Sequence, residues 1–340
     1  MPIEERYRLI GGPGSPYSLK IRALMRYRRL PFDWLIRARV ADEVAHVKPP
    51  TIPILHTPSI DHYQSDSTPI VDYLEQRHPG ARSVFPDDPG MAFLNFMLED
   101  MSDEWATKFM YQQRWLDAAD QEFYGHYLGW FREGPGPWDK VEAYGSKMRD
   151  RQVSRNALVG VSPENRPVID RTFKLVMEAF EKLAGSRIGL FGDRPSSADF
   201  SFYGQMTPGA HAPGAAPVMR EGAPLTFCWL ILMDDMSGWE PGPWQDPEQP
   251  PSQAVMDFLG LCGEAYLPFF KANAEALQAG DEDVAVNIWG TTYRQRPFRY
   301  QGKCYRILRE RFAGLDDDAL DKILPILDKT YCLQYLILLI

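Results

Sequence analysis

Residues 11–22, GGPGSPYSLKIR, set three hydroxyls, Ser15, Tyr17 and Ser18, where a glycine-rich turn runs into an amphipathic segment. Pro16 suits a first helical position, which makes Ser15 the N-cap with its hydroxyl at the helix mouth. A hydroxyl there, beside the positive end of the helix, can hold an anion or a thiolate. A free thiol has a pKa of about 8.5, so little of it is ionised at neutral pH. Hydrogen bonds to charged groups contribute about 1.5–3 kcal/mol, so one donor lowers a thiol pKa by roughly one to two units. The other reading of Ser15 is a helix cap alone. The stretch lacks Gly-Lys-Ser/Thr and the third glycine of a dinucleotide turn, which argues against a phosphate loop. It also lacks a cysteine, which argues against disulfide exchange.

Other candidate clusters carry weaker chemistry. Asp66 and Ser67 open a second helix and could receive a charged ligand end. Ser196 and Asp199 form an S-x-x-D capping box, a structural device. Glu104 and Lys108 read as an i, i+4 surface bridge. His56, His62 and His78 have no spacing that fixes a tetrahedral metal set.

The elements that must position these groups follow from periodicity. Residues 6–10 read as a strand, 16–30 as a helix, 32–40 as a second strand, and 53–56 with 60–64 as a hairpin. A helix runs from Asp66 or Ser67 to His78-Pro79-Gly80. Beyond residue 90 helical stripes dominate, such as Leu94, Met97, Leu98, Met101 and Trp105. The stretch 207–224, rich in Pro, Gly and Ala, reads as a surface loop, and 239–251 as a linker before a last helical portion, 252–340. Pro325 should kink or shorten the final helix.

Composition narrows the class. The chain has 340 residues, 44% of them hydrophobic, and a net charge of −9, which excludes a general nucleic-acid binder. The basic group Arg22, Arg26, Arg28 and Arg29 reads as a solvated helix face. Cys228, Cys262, Cys304 and Cys332 lack metal spacing and read as buried free thiols, in keeping with a reducing, cytoplasmic setting. No run reaches a membrane span of roughly 18 apolar residues, and the tail CLQYLILLI reads as a docked segment.

Three stretches in order resemble the glutathione transferase superfamily: SPYSLKIRALMRYRRLPF (15–32), TIPILHTPSIDHYQSDSTPIVDYLE (51–75) and LFGDRPSSADFSFYGQM (190–206). EDMSDEWATKFMYQQRW (99–115) is similar to a subgroup of long bacterial members, and the final 90 or so residues exceed the common pattern. The resemblance implies a thioredoxin-like α/β N-terminal domain over 1–85 and an all-helical C-terminal domain over 90–340, with 252–340 as an extension. It implies glutathione as cosubstrate and Ser15 as the activating hydroxyl, with Tyr17 and Ser18 as the other donors. Pro53 would be cis and turn the Ile52 backbone toward the peptide. Asp66 and Ser67 would hold the γ-glutamyl end, and Lys48 or His46 the glycyl carboxylate. Trp105, Tyr111 and Trp115, with Met110, could wall a pocket for a small apolar electrophile, or belong to the core. A homodimer is expected by resemblance, with no metal, nucleic acid or membrane partner. The rival reading is a binding or scaffold protein that keeps the fold without the chemistry.

Overall fold

A computed structural model describes residues 5–337. β1 (Tyr7–Gly11), α1 (Pro16–Tyr27) and β2 (Phe32–Ile36) form a βαβ unit with β1 and β2 parallel. β3 (Ile54–Thr57) and β4 (His62–Ser65) add antiparallel strands, giving the order β2-β1-β3-β4, and α2 (Ser67–Arg77) follows. This is the thioredoxin-like arrangement that the resemblance implied. The second strand ends at Ile36, short of the expected 40, because Arg37–Arg39 turn in a 3-10 helix.

The buried face of α1 explains both the sheet and the junction with the rest of the chain. Leu19, Ile21, Ala23, Leu24 and Met25 are all buried. Burial of side chains of this size stabilises by about 1.5–3 kcal/mol each for the larger aliphatic ones. Part of that face meets a helical body, with α1 packed on α9 (Ser197–His211). A Cβ at Gly204 would lie 2.4 Å from the Pro16 carbonyl oxygen, so the absence of a side chain there permits the approach.

The body begins with α3 (Pro89–Met101), which runs through a π-helical turn, Ser102–Ala106, into α4 (Thr107–Trp115). α5 (Ala118–Glu133) and α6 (Trp138–Val153) form a helical hairpin, joined by α7 (Asn156–Val159) to the amphipathic α8 (Arg166–Ala184). The capping box opens α9: Asp199 Oδ2 accepts from Ser196 N at 2.8 Å and from its hydroxyl at 2.7 Å. The loop expected over 207–224 is largely helical instead. α9 continues through Pro208 to His211, and α10 spans Ala215–Gly222. Met206, Pro208 and Met219 are buried, so apolar packing overrides the weak local propensity.

After α11 (Pro224–Asp234), the last portion holds α12 (Gln253–Leu261), a second π-helical turn, α13 (Leu267–Ala279), α14 (Arg299–Ala313), α15 (Asp317–Lys329) and the short α16 (Leu333–Leu336). It is not helical throughout, because β5 (Val284–Ile288) and β6 (Thr291–Gln295) pair as a hairpin. Its tight turn uses Trp289 and Gly290, both at positive φ. α15 keeps Pro325 inside it. The tail packs as far as Leu336, which is buried, and residues 338–340 lie outside the described set.

The basic group on and just after α1 is not a solvated face. Arg22 and Arg26 pair with Asp234 at 2.5 and 2.8 Å, Arg28 with Glu75, and Arg29 with Glu240. Three of the four thus tie α1 and its C-terminal end to the chain beyond residue 230. Cys262, Cys304 and Cys332 are buried free thiols as expected, but Cys228 is exposed. No helix among the described residues is long and apolar enough to cross a membrane.

Candidate functional site around the Ser15 turn

Ser15 caps α1 with extended backbone (φ −101, ψ 118), and its Oγ accepts from the Ser18 amide at 3.3 Å. Accepting there leaves the hydroxyl proton available to a ligand. Ser15 is half-buried, and α1 has no acid in its first turn to cancel the helix field. The other two hydroxyls are placed differently. Tyr17 donates to the Asp103 carbonyl at 2.9 Å, and burial pushes its pKa well up, with Glu104 and Asp103 adding to the shift. Ser18 is fully buried behind Gly11, where a Cβ would meet its Oγ at 2.7 Å.

The Ile52–Pro53 peptide is cis, and so is Lys48–Pro49. Ile52 lies just outside the β3 ladder, which starts at Ile54, and its side chain reaches to within 3.5 Å of where a Gly12 Cβ would stand. The serine turn and the cis-proline loop are therefore neighbours. Lys48 and His46 are exposed on that loop, and His46 packs edge-on to Tyr63.

Asp66 sits at the N-cap of α2 with φ 78, and Ser67, buried, takes the first helical position. Asp66 does not cap through its side chain; its Oδ2 instead accepts from the Tyr300 hydroxyl of α14 at 2.7 Å. Sequence reading had no signal for this, since Tyr300 is 234 residues away. Arg311 of the same helix reaches Asp72 of α2 at 3.3 Å.

Trp105, Tyr111 and Trp115 are core residues here, 1%, 8% and 0% exposed. Trp105 donates to Thr172 and packs on Phe269 and Tyr293, while Tyr111 donates to Gln152. Met110 is also buried. A hollow of about 430 Å³ opens between β4 and α2, lined by Ile60, His62, Gln64, Asp72 and Tyr73 among others, and contains none of these site residues.

Beneath the turn lies a polar network that sequence reading missed. Lys20, buried, reaches Glu99 at 2.6 Å and Asp103 at 2.7 Å. Ser197 donates to Glu99 and Ser201 to Asp103. Burial alone would lower the Lys20 pKa, but Asp103 and Glu99 outweigh it and the pKa is raised. The π-helical turn widens the ladder and leaves carbonyls for other partners. Tyr17 takes that of Asp103, and Gln301 of α14 takes that of Glu104 at 3.1 Å.

Glu104 and Lys108 do not form a surface bridge, because both are buried. Lys108 donates to Gln295 Oε1 at 2.6 Å, over the ring of Phe269 at 4.4 Å, and burial pulls its pKa to about 7. Burial, helped by Asp100 and Asp103, pushes Glu104 up to about 8. His78 meets the Tyr7 hydroxyl and His56 meets Asp61. No metal-holding group of His, Cys, Asp and Glu occurs among the described residues.

Residues 9–82 match the family model described as the glutathione S-transferase N-terminal domain. A search of curated proteins finds no match. The solved structures similar to this chain include a glutathione S-transferase from Methylobacillus flagellatus with glutathione bound. It is 17% identical, with 68% of this chain and 96% of that one covered and a TM-score of 0.40. A glutathione S-transferase from Rhodospirillum rubrum is 16% identical, covering 74% and 99%, with a TM-score of 0.43. The beta-etherase LigF from Sphingobium is 18% identical, covering 67% and 94%, with a TM-score of 0.44. The family likeness of this chain thus rests on residues 9–82, which match the glutathione S-transferase N-terminal domain.

Proposed function

We propose that this protein is a glutathione transferase-like enzyme that holds the glutathione sulfur as a thiolate at Ser15 for attack on a small apolar electrophile. The observation that carries the reading is the Ser15 hydroxyl at the mouth of α1, its proton uncommitted, beside the cis-proline loop of Ile52 and Pro53. The serine lowers the thiol pKa by donating to the charged form, by roughly one to two units for one charge-assisted bond. The Ile52 backbone, outside the ladder, can pair with the cysteinyl amides. Ser67 and the first amides of α2 suit the γ-glutamyl carboxylate. Asp66 keeps Oδ1 for the amine while Tyr300 holds Oδ2. Lys48, exposed, is in reach of solvent for the glycyl carboxylate. In the reaction the thiol proton passes to solvent and the thiolate forms a carbon–sulfur bond; the electrophile either expels its leaving group with the bonding pair or, where a double bond is attacked, takes up a proton from solvent at the neighbouring atom.

Two domains, 1–85 and 90–340, and a cytoplasmic homodimer complete the proposal. Calorimetry with glutathione tests it: submillimolar binding weakened by Ser67→Ala is expected. Ser15→Ala should lower turnover with a standard electrophile by roughly tenfold to a hundredfold, one to two thiol pKa units expressed as rate. No heat and no retention on glutathione resin would leave the scaffold reading instead. Unchanged turnover in Ser15→Ala would move the role to Tyr17 or Ser18.

A further inference from the structure

Arg114, at the end of α4, is 4% exposed and pairs with no carboxylate among the described residues. Its Nη1 donates to the carbonyl of Gly14 at 2.6 Å, and its Nη2 reaches Met110 Sδ at 2.7 Å. Nε, also buried, has no partner. The guanidinium lies over the rings of Trp115 and Tyr124, at 5.7 and 5.4 Å from their centroids. The titratable groups that act on it most strongly are phenols: Tyr124 and Tyr127 from α5, Tyr111 from α4 and Tyr17 from α1. Burial lowers its pKa, but an arginine stays charged in a protein.

Two other buried cations of the N-terminal junction have acids beside them, while Arg194, which donates to the Ala81 and Ser83 carbonyls, shares with Arg114 the lack of an ion pair among the described residues. Lys20 has Glu99 and Asp103, and Arg28 has Glu75. A buried charge with no counter-charge is costly. Arg114 also sits directly behind the peptide that carries Ser15. Gly14 is boxed in from the other side by Leu128 of α5, and Tyr127 donates to the Pro13 carbonyl at 3.3 Å. The cation and the serine turn are thus held in fixed relation.

We propose that Arg114 is a positioning residue of the proposed reaction: through the Gly14 carbonyl it fixes the Ser15 turn, and its uncompensated positive charge stabilises the ligand thiolate there. This rests on the glutathione reading above. An opposite charge within several ångströms favours the ionised form of an acid, whereas a purely structural arginine would leave a ligand's titration alone. The turn would then use two cooperating sources of positive field, the α1 N-terminus and the guanidinium.

The test is the titration of the bound thiol, followed by thiolate ultraviolet absorbance on saturated full-length protein. Three variants are compared with wild type: Arg114→Met, Arg114→Gln, which retains a donor for the Gly14 carbonyl, and Arg114→Lys, which retains the charge. The thiol pKa should rise by roughly one unit in both neutral variants and stay near wild type in the lysine variant. Turnover at pH 6.5 should fall about tenfold in the neutral variants and recover at alkaline pH. If one neutral variant fails to fold, the other carries the comparison. A thiol pKa that is the same in all four proteins overturns the role of Arg114 and leaves the glutathione reading standing. An equal rise in the lysine variant assigns the effect to packing and also overturns it. Wild-type protein that takes up no glutathione overturns the glutathione reading itself, and this role with it.

Discussion

The Tyr300 hydroxyl donates to Asp66 Oδ2 at 2.7 Å, joining the C-terminal extension to the first turn of α2. Asp66 is held at φ 78, so its carboxylate leaves the helix cap rather than closing it. The bond orients that carboxylate. Tyr300→Phe deletes one half-exposed hydrogen bond of about 1 kcal/mol, which corresponds to roughly fivefold in affinity. Glutathione KM should rise by that factor with kcat unchanged, and calorimetry should give a matching Kd. Tighter binding in Tyr300→Phe would mean that the tyrosine competes with the ligand amine instead of assisting it.

Lys20 carries a second prediction. It is the only cation given by the structure as an ion-pair partner of Glu99 and Asp103 among the described residues. Lys20→Met would leave two buried acids without it, and breaking a buried pair in this way costs about 3–5 kcal/mol. Urea unfolding should show that loss. Replacing Ser201, which donates to Asp103 at 2.7 Å, by Ala should cost less, about 1–2 kcal/mol.

The parts legible in the sequence are those written in local signals. Ser15-Pro16 marks a cap and a first turn, and Asp199 three residues after Ser196 marks a capping box. The hairpin reads from the two short runs 53–56 and 60–64 rather than from alternation, since β3 is buried throughout. Each signal depends on residues within a few positions of one another. The parts that were not legible depend on distant partners. Arg22 looked like a surface residue because Asp234 lies 212 residues on, and Glu104 with Lys108 looked like a surface pair because burial comes from α13, α14 and β6. Trp105 at helical spacing was compatible with pocket or core, and only the rings of Phe269 and Tyr293 decide for core. The β5–β6 hairpin was hidden by its length, five residues a strand inside a helical neighbourhood.

A third prediction concerns the α5–α6 hairpin that overhangs the Ser15 turn. The two helices touch through glycines: a Cβ at Gly129 would stand 2.1 Å from the Val141 carbonyl oxygen, and one at Gly145 would stand 2.5 Å from that of Gly125. Backbone atoms cannot give way as a side-chain tip does. Gly129→Ala should therefore push the helices apart and cost about 1–3 kcal/mol, as overpacked sites do. Leu128 and Tyr127, next along α5, contact Gly14 and Pro13, so glutathione affinity should fall along with melting temperature. Gly136, where a Cβ meets nothing within 4 Å, is the control and should tolerate Ala.

The fourth prediction follows from the buried acids around the π-helical turn. Burial pushes Asp100 up to about 7 and Glu104 up to about 8, from ordinary values of 3.8 and 4.5. Their folded pKa values are raised, so the protonated form favours folding. Their contribution is complete below the unfolded pKa, near pH 4, and is lost as pH rises through the folded values. Lys108, pulled down to about 7, keeps its proton in both states below that pH, so it adds no comparable slope between pH 5 and 7. Melting temperature should accordingly decline from pH 5 toward 7, through these groups. Glu104→Gln keeps the shape and removes one titration, so its decline should be shallower and its stability at pH 8 higher than wild type. Thermal melts of both proteins at half-unit pH steps decide the matter: parallel curves would mean that Glu104 titrates alike in the folded and unfolded chains.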